Sequence, residues 1–195
     1  MDHSGFRAAI ARPALLGATL GGICLGTAAG ALGPLAAGAV ELRGATFFTR
    51  PPWKADLVSY TTDAGDPRAT YFFSVELDAA AGASLGGLLI RQSAGPDRIF
   101  PYSLDRTQAF LGRPRGHGAA IPVEAELSEH DRAIRISFPE PVAPGSTVTV
   151  SLKPWSNPTM PGTYLFQVTA FPAGPNPNAT ALGSARLRIY RPDWR

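Results

Sequence analysis

The chain is poor in the side chains that carry most protein chemistry. Of its 195 residues one is cysteine, three are histidine and two are methionine. The single cysteine, Cys24, lies in an N-terminal apolar stretch, so the chain from residue 40 onward has none. That excludes a disulfide framework, a thiolate metal site and a cysteine nucleophile from this part. Lysine is almost absent as well: only Lys54 and Lys153 accompany the arginines. The formal net charge is only +3 and no basic run is concentrated on one segment, so nucleic-acid binding is not expected. There is no phosphate-binding loop, no dinucleotide fingerprint and no nucleophile elbow, so no cofactor is implied. Long amphipathic helical patterns are missing too.

The two histidines beyond the N-terminal stretch do not make up the deficit. His117 stands in Arg115-Gly116-His117-Gly118, a glycine-rich loop, and His130 stands between Glu129 and Asp131 in a turn. Consecutive Glu-His-Asp residues rarely converge on one ion, and the spaced partners of a zinc site are missing. A Ser-His-Asp arrangement needs a hydroxyl and an acid gathered around the imidazole, which no spacing here suggests. A copper site would have only His117, His130 and Met160 to draw on. We therefore assign no catalytic, cofactor or metal residue and expect a protein that is not an enzyme. An enzyme or metal-handling protein is the minority alternative.

What is present begins with a leader. Arg7 and Arg12 precede an apolar run over residues 14–33, followed by the small-residue sites Ala29-Gly30-Ala31 and Ala37-Gly38-Ala39. This order of charge, apolar run and cleavage site predicts a secretory signal peptide over residues 1–39. The rival is a retained anchor, since about 20 apolar residues suffice to span a bilayer. The many glycines and Pro34 weaken that reading. Ile23 fills the place before Cys24 where a lipoprotein needs a small residue. The expectation is an exported protein, periplasmic or at the cell surface, touching a membrane only through an uncleaved leader.

Residues 40–195 then form one predicted domain, rich in turn formers: the chain holds 21 Gly and 19 Pro. Alternating apolar and polar residues predict strands at 40–48, 57–61, 71–77, 88–92, 99–102, 121–127, 134–138, 147–152, 164–171 and 185–190, the shorter ones being marginal. Turn dipeptides such as Pro144-Gly145, Asn157-Pro158 and Pro161-Gly162 separate them. Segments 121–127 and 134–138 read as a hairpin turning at 128–132, residues 107–111 as one helical turn, and the Ala/Gly stretch 78–87 as a loop. About eight strands without a long helix predict an all-β, antiparallel immunoglobulin-like β-sandwich, with a closed barrel as the alternative.

The same residues carry a resemblance. An aromatic strand at 71–77 is followed by Gly82 and Leu85, and a Thr-x-Ala-Phe-x-Gly pattern stands at Thr107, Ala109, Phe110 and Gly112. The run Pro141 to Pro154 reads PVxPGxTVTVxLxP, and Asn157-Pro158 follows. Then come Gly162-x-Tyr164-Leu165-Phe166-x-Val168-Thr169-Ala170-Phe171-Pro172 and Leu182-Gly183-x-x-Arg186-Leu187-x-Ile189-Tyr190. Across nearly all of residues 40–195 the chain resembles domain-of-unknown-function family 2808, secreted proteins found mainly in cyanobacteria. Gln167 departs from a usual glycine, and Trp155 from a smaller or basic residue. The resemblance implies secretion and a compact domain. It implies no activity and carries over no functional residue.

Candidate contact residues come from the composition of loops and edges. Trp155 sits in a proline-flanked loop with Asn157, where a ring can stack on a sugar or anchor a protein; it can also fold back and cap the sandwich. Trp53, after Pro51-Pro52, poses the same choice. Arg186 and Arg188, with Arg191, share the outer side of the last strand, either as an anion-facing stripe or as a charged edge that resists aggregation. Asn178-Ala179-Thr180 matches a glycosylation acceptor and also suits a plain turn. The function expected is a non-catalytic cell-envelope module, structural or protein-binding, with envelope-glycan binding as the alternative. The sequence leaves the oligomeric state open.

Overall fold

Period-two alternation decides which face of each strand is buried, and in the computed structural model it sorts the strands into two layers. The structure describes residues 40–42, 44–98, 101–116, 118–128 and 133–192. The expected leader, His117, His130 and the turn containing it, and the start of the expected strand at 99–102 lie outside these residues.

In chain order the strands are β1 (Val40–Leu42), β2 (Ala45–Phe47), β3 (Ala55–Val58), β4 (Tyr71–Glu76), β5 (Leu85–Ala94), β6 (Gln108–Leu111), β7 (Ala120–Ile121), β8 (Glu124–Ser128), β9 (Ala133–Val142), β10 (Thr147–Leu152), β11 (Gly162–Pro172) and β12 (Thr180–Ile189). Sheet I has the order β3-β4-β10-β6-β7 and sheet II the order β12-β11-β5-β9-β8, while β1 and β2 form a separate ribbon. Every strand pair is antiparallel. The protein is an all-β immunoglobulin-like sandwich.

The core lies between the sheets. Tyr71, Phe73 and Val75 of β4 and Val148, Val150 and Leu152 of β10 face Leu88 and Ile90 of β5 and Tyr164, Phe166 and Val168 of β11, all buried. Phe166 is the centre: its ring meets Phe73 edge-on at 5.5 Å and Tyr71 at 6.3 Å. Each such buried side chain contributes on the order of 1.5–3 kcal/mol. The predicted hairpin pairs as expected, with Ala125 opposite Ile136 and Leu127 opposite Ile134.

Four expectations need correction. Residues 107–111 are not a helical turn: a 3-10 turn occupies Leu104–Arg106, and Gln108–Leu111 is a strand paired with β10. Segment 121–127 is two strands in different sheets, because Pro122 cannot continue a ladder and the chain crosses there from sheet I to sheet II. Segment 40–48 is likewise two strands, turned back near Gly44 at φ 77°. Gly86 and Gly87 lie within the long central strand β5, where a Cβ would crowd the Ala173 backbone and the Ile136 carbonyl. Twelve strands thus replace about eight.

The outer face of sheet I is covered. Ser74, Thr149 and Ser151 point away from the core yet are buried. A strap following β6 crosses above Ser74 and Thr149, while Ser151 Oγ donates to the Gln108 carbonyl at 3.4 Å. Thr149 Oγ1 donates to the Gly112 carbonyl at 2.6 Å and lies 2.8 Å from Ser74 Oγ. Arg113 reaches across the sheet to Asp56 at 3.1 Å and Glu76 at 3.3 Å. The Arg115 guanidinium lies 4.8 Å from the Tyr60 ring. Burial raises the Asp56 carboxyl, but hydrogen bonds from Lys54 and Arg113 outweigh it and hold the group below its ordinary value.

Candidate functional site

The loops at the end of the sandwich where β4, β6 and β11 begin form a tethered pole. Thr62 O accepts from Tyr190 N at 2.8 Å, and Tyr190 O from Ala64 N at 2.9 Å. Pro158 O accepts from Gly65 N at 3.0 Å, Pro101 O from Trp155 N at 3.1 Å, and Lys153 O from Ser103 N at 2.8 Å. Lys153 Nζ clamps the turn before β4 by donating to Pro67 O at 2.6 Å and Ala69 O at 2.7 Å. Segments distant in sequence are thereby held in one piece.

Asn157 is the hub of that network and is only 1% exposed. Its Oδ1 accepts from the Tyr71 hydroxyl at 2.7 Å. Its Nδ2 donates to Thr61 O at 3.0 Å and Asp63 O at 2.8 Å, and its backbone N to Asp66 O at 2.9 Å. With donors and acceptor engaged inside, its side chain is a strut, which corrects the expectation that Asn157 shares a contact surface with Trp155. Burial pushes the Tyr71 hydroxyl well above its ordinary value, so it stays protonated as the donor.

Trp155, two residues earlier, is 65% exposed and does not cap the core. Around the same pole Tyr60, Met160 and Tyr190 are each about half exposed (52%, 51% and 51%). Beside them lies a polar cleft of about 300 Å³ lined by Thr70, Asp105, Arg106, Gln108, Ser151 and Lys153. Burial, then the neighbouring charge of Arg106, lowers the Lys153 ammonium below its ordinary value, with Asp66 partly opposing. Asp66 is gripped by Arg68 through Nε at 3.1 Å, Nη2 at 2.7 Å and the backbone N at 2.8 Å. The side-chain and backbone hydrogen bonds from Arg68 bring its carboxyl down to about 2.

Of the remaining candidates only Arg188 reaches this pole, its guanidinium 5.8 Å from the Tyr190 ring. Arg186 and Arg188 are exposed on the outer face of sheet II, opposite Leu165 and Thr163 of β11. Trp53 is 76% exposed, precedes β3 at the other end, and carries Lys54 Nζ 4.8 Å from its ring. Asn178 is exposed in a turn, its N donating to Thr46 O at 2.9 Å. Tyr60, Tyr190 and the Arg106–Lys153 cleft escaped sequence reasoning. The signal for the tyrosines was an aromatic residue just past a strand's last alternating position. The cleft joins segments too far apart for any local signal. Among the described residues no three of His, Cys, Asp and Glu cluster as metal ligands, and no helix is long and apolar enough to cross a membrane.

The fold and this pole define an immunoglobulin-like β-sandwich domain whose exposed aromatics sit on braced loops. The chain belongs to the family described as "Protein of unknown function (DUF2808)", whose model matches residues 45–189. No curated protein matches it in sequence. Among solved structures it is similar to BslA, titled a bacterial hydrophobin, at 12% identity and a TM-score of 0.40, covering 74% of this chain and 100% of that one. It is also similar to the collagen-binding domain of a Staphylococcus aureus adhesin, at 7% identity and a TM-score of 0.41, covering 73% and 100%. A non-cellulosomal cohesin from Archaeoglobus fulgidus follows at 11% identity and a TM-score of 0.34, covering 70% and 91%. At such distances none of their functions transfers.

Proposed function

We propose that this protein is an exported, non-catalytic interaction module of the cell envelope that holds its partner at the pole bearing Trp155. The observation that carries this is a contrast two positions apart: Trp155 is 65% exposed while Asn157 is buried in the loop network beneath it. A large ring displayed on a stiff support loses little entropy on contact, which is what a binding anchor needs. Tyr60, Met160 and Tyr190 are also about half exposed at the same end of the sandwich. This favours a protein partner over a flat, isolated stacking platform.

A second reading, recognition of an envelope glycan, is favoured by the cleft at Arg106 and Lys153, whose polar lining suits hydroxyl and acidic groups. One experiment separates the two. The purified protein is sedimented with envelope fractions that are untreated, protease-digested or glycan-hydrolysed. Loss of retention only after protease supports the protein partner; loss only after glycan hydrolysis supports the glycan. Absence of retention on the untreated fraction sinks both.

A further inference from the structure

The outer face of sheet I carries two clefts of opposite character that share one residue. Pairing sets Phe72 of β4 opposite Ser151 of β10, and Ser151 opposite Gln108 of β6. Their neighbours Tyr71, Phe73, Val150, Leu152 and Ala109 are buried in the core, so the period of two turns this row outward. On one side of it lies the polar cleft of about 300 Å³, lined by Thr70, Asp105, Arg106, Gln108, Ser151 and Lys153. On the other lies an apolar cleft of about 520 Å³. Gln108 lines this one too, and Phe72, Phe110, Pro114, Ala120, Ile121 and Val123 are most of its remaining lining. The polar end holds unmet positive charge. Lys153 Nζ donates to Pro67 O and Ala69 O, which leaves one of its three N–H groups. Among the described residues the Arg106 guanidinium has no ion-pair or hydrogen-bond partner. Burial, then that neighbouring charge, disfavours the Lys153 ammonium, and Asp66, which opposes this, is taken up by Arg68. Asp105 is exposed and paired with neither cation. Two cations against one carboxylate leave one positive charge in excess, the complement of a single acid.

We propose that the joined cleft binds a medium-chain fatty acid, its carboxylate at Arg106 and Lys153 and its chain running past Gln108 along Phe72 and Phe110. This goes beyond the partner held at Trp155, which lines neither cleft. It also puts a hydrocarbon body behind the acid where the glycan reading puts a sugar. The lining past Gln108 selects that body. A sugar would set hydroxyl groups against aromatic and aliphatic side chains, where they lose water and gain no hydrogen bond. A methylene chain has no hydrogen bond to lose and leaves water for an apolar wall. Charge selects the head. A carboxylate accepts charge-assisted hydrogen bonds from the guanidinium and from the remaining Lys153 N–H. A cationic amphiphile would bring the same chain but meet two like charges.

Titration calorimetry of the purified protein with hexanoate, octanoate and decanoate, each below its micelle concentration, tests this. One molecule is expected to bind per chain, with affinity rising roughly tenfold for each two methylenes added. Glucuronate has the acid without the chain, and decyltrimethylammonium the chain without the acid. Both should bind at least about tenfold more weakly than decanoate. Two substitutions at exposed positions separate the ends of the site. Arg106→Gln should weaken decanoate about tenfold and leave decanol nearly unchanged. Ala120→Asp, which sets a carboxylate in the apolar cleft, should weaken both. Thermal midpoints close to that of the unaltered protein show that each variant is folded. No envelope fraction is used, so the outcome is separate from that of the sedimentation with envelope fractions. Absence of decanoate binding would overturn the proposal. So would uptake of many molecules per chain, affinity that does not rise with chain length, or glucuronate or decyltrimethylammonium binding as tightly as decanoate. A folded Arg106→Gln or Ala120→Asp protein that binds decanoate unchanged would overturn it as well.

Discussion

At the scale of single residues, position 157 separates what the sequence states from what the fold decides. Asn157 and Trp155 stand together in a polar, proline-stiffened loop, both candidates for a contact surface, with capping of the sandwich as the other reading of Trp155. The loop folds so that the amide goes inward to meet the Tyr71 hydroxyl and the Thr61 and Asp63 carbonyls, while the ring stays in water. No local pattern reveals this, because Tyr71 is 86 residues away in the chain. Replacing Asn157 with Ala strands one buried hydroxyl and two carbonyls and is expected to cost roughly 2–3 kcal/mol. Tyr71→Phe removes one bond and leaves a single amide acceptor unpaired, for about 1 kcal/mol. Denaturant unfolding of both variants and the double variant checks this: the effects should fall short of additive. Additive losses, or an Asn157→Ala loss below about 0.5 kcal/mol, would remove the hub role.

At the scale of elements, alternation was legible wherever a strand had one wet face and one dry face. Strand β11 shows this, with Tyr164, Phe166 and Val168 buried on one face and Thr163 and Gln167 exposed on the other. It failed where glycine or proline interrupts a strand. Strand β12 continues back past Gly183, which adopts φ 78° as the pairing with β11 shifts, and β5 runs through Gly86 and Gly87. It also failed on burial of the outer face, since polar Ser74 and Thr149 read as wet and are covered by the strap. The return of that strap to β7 depends on Gly118, where an added Cβ would overlap the Leu111 carbonyl. Gly118→Ala should therefore destabilise the protein by roughly 2–4 kcal/mol. Gly116→Ala, whose Cβ would sit 3.2 Å from the Arg113 carbonyl, should cost less than about 1 kcal/mol. Hydrogen exchange would locate the change: amides of β6 and β7 lose protection in Gly118→Ala, and equal loss in both variants would count against the strap.

At the scale of the whole molecule, the sandwich was readable because turn signals and short alternating runs recur along residues 40–192 without a helical pattern. The family match agrees with the motifs between Tyr71 and Tyr190. The pole was less readable, because it is assembled from loops that meet only when both sheets are in place. Its tryptophan could be named but not its surroundings. The central claim is that Trp155 binds and does not support the fold. The direct measurement is envelope-fraction binding by Trp155→Ala alongside its thermal midpoint. Binding is expected to weaken at least about tenfold, the loss of a modest aromatic anchor. The midpoint should stay within about 2 °C, because the ring is mostly in water. Unchanged binding, or a midpoint lowered by about 8 °C or more, would contradict the account.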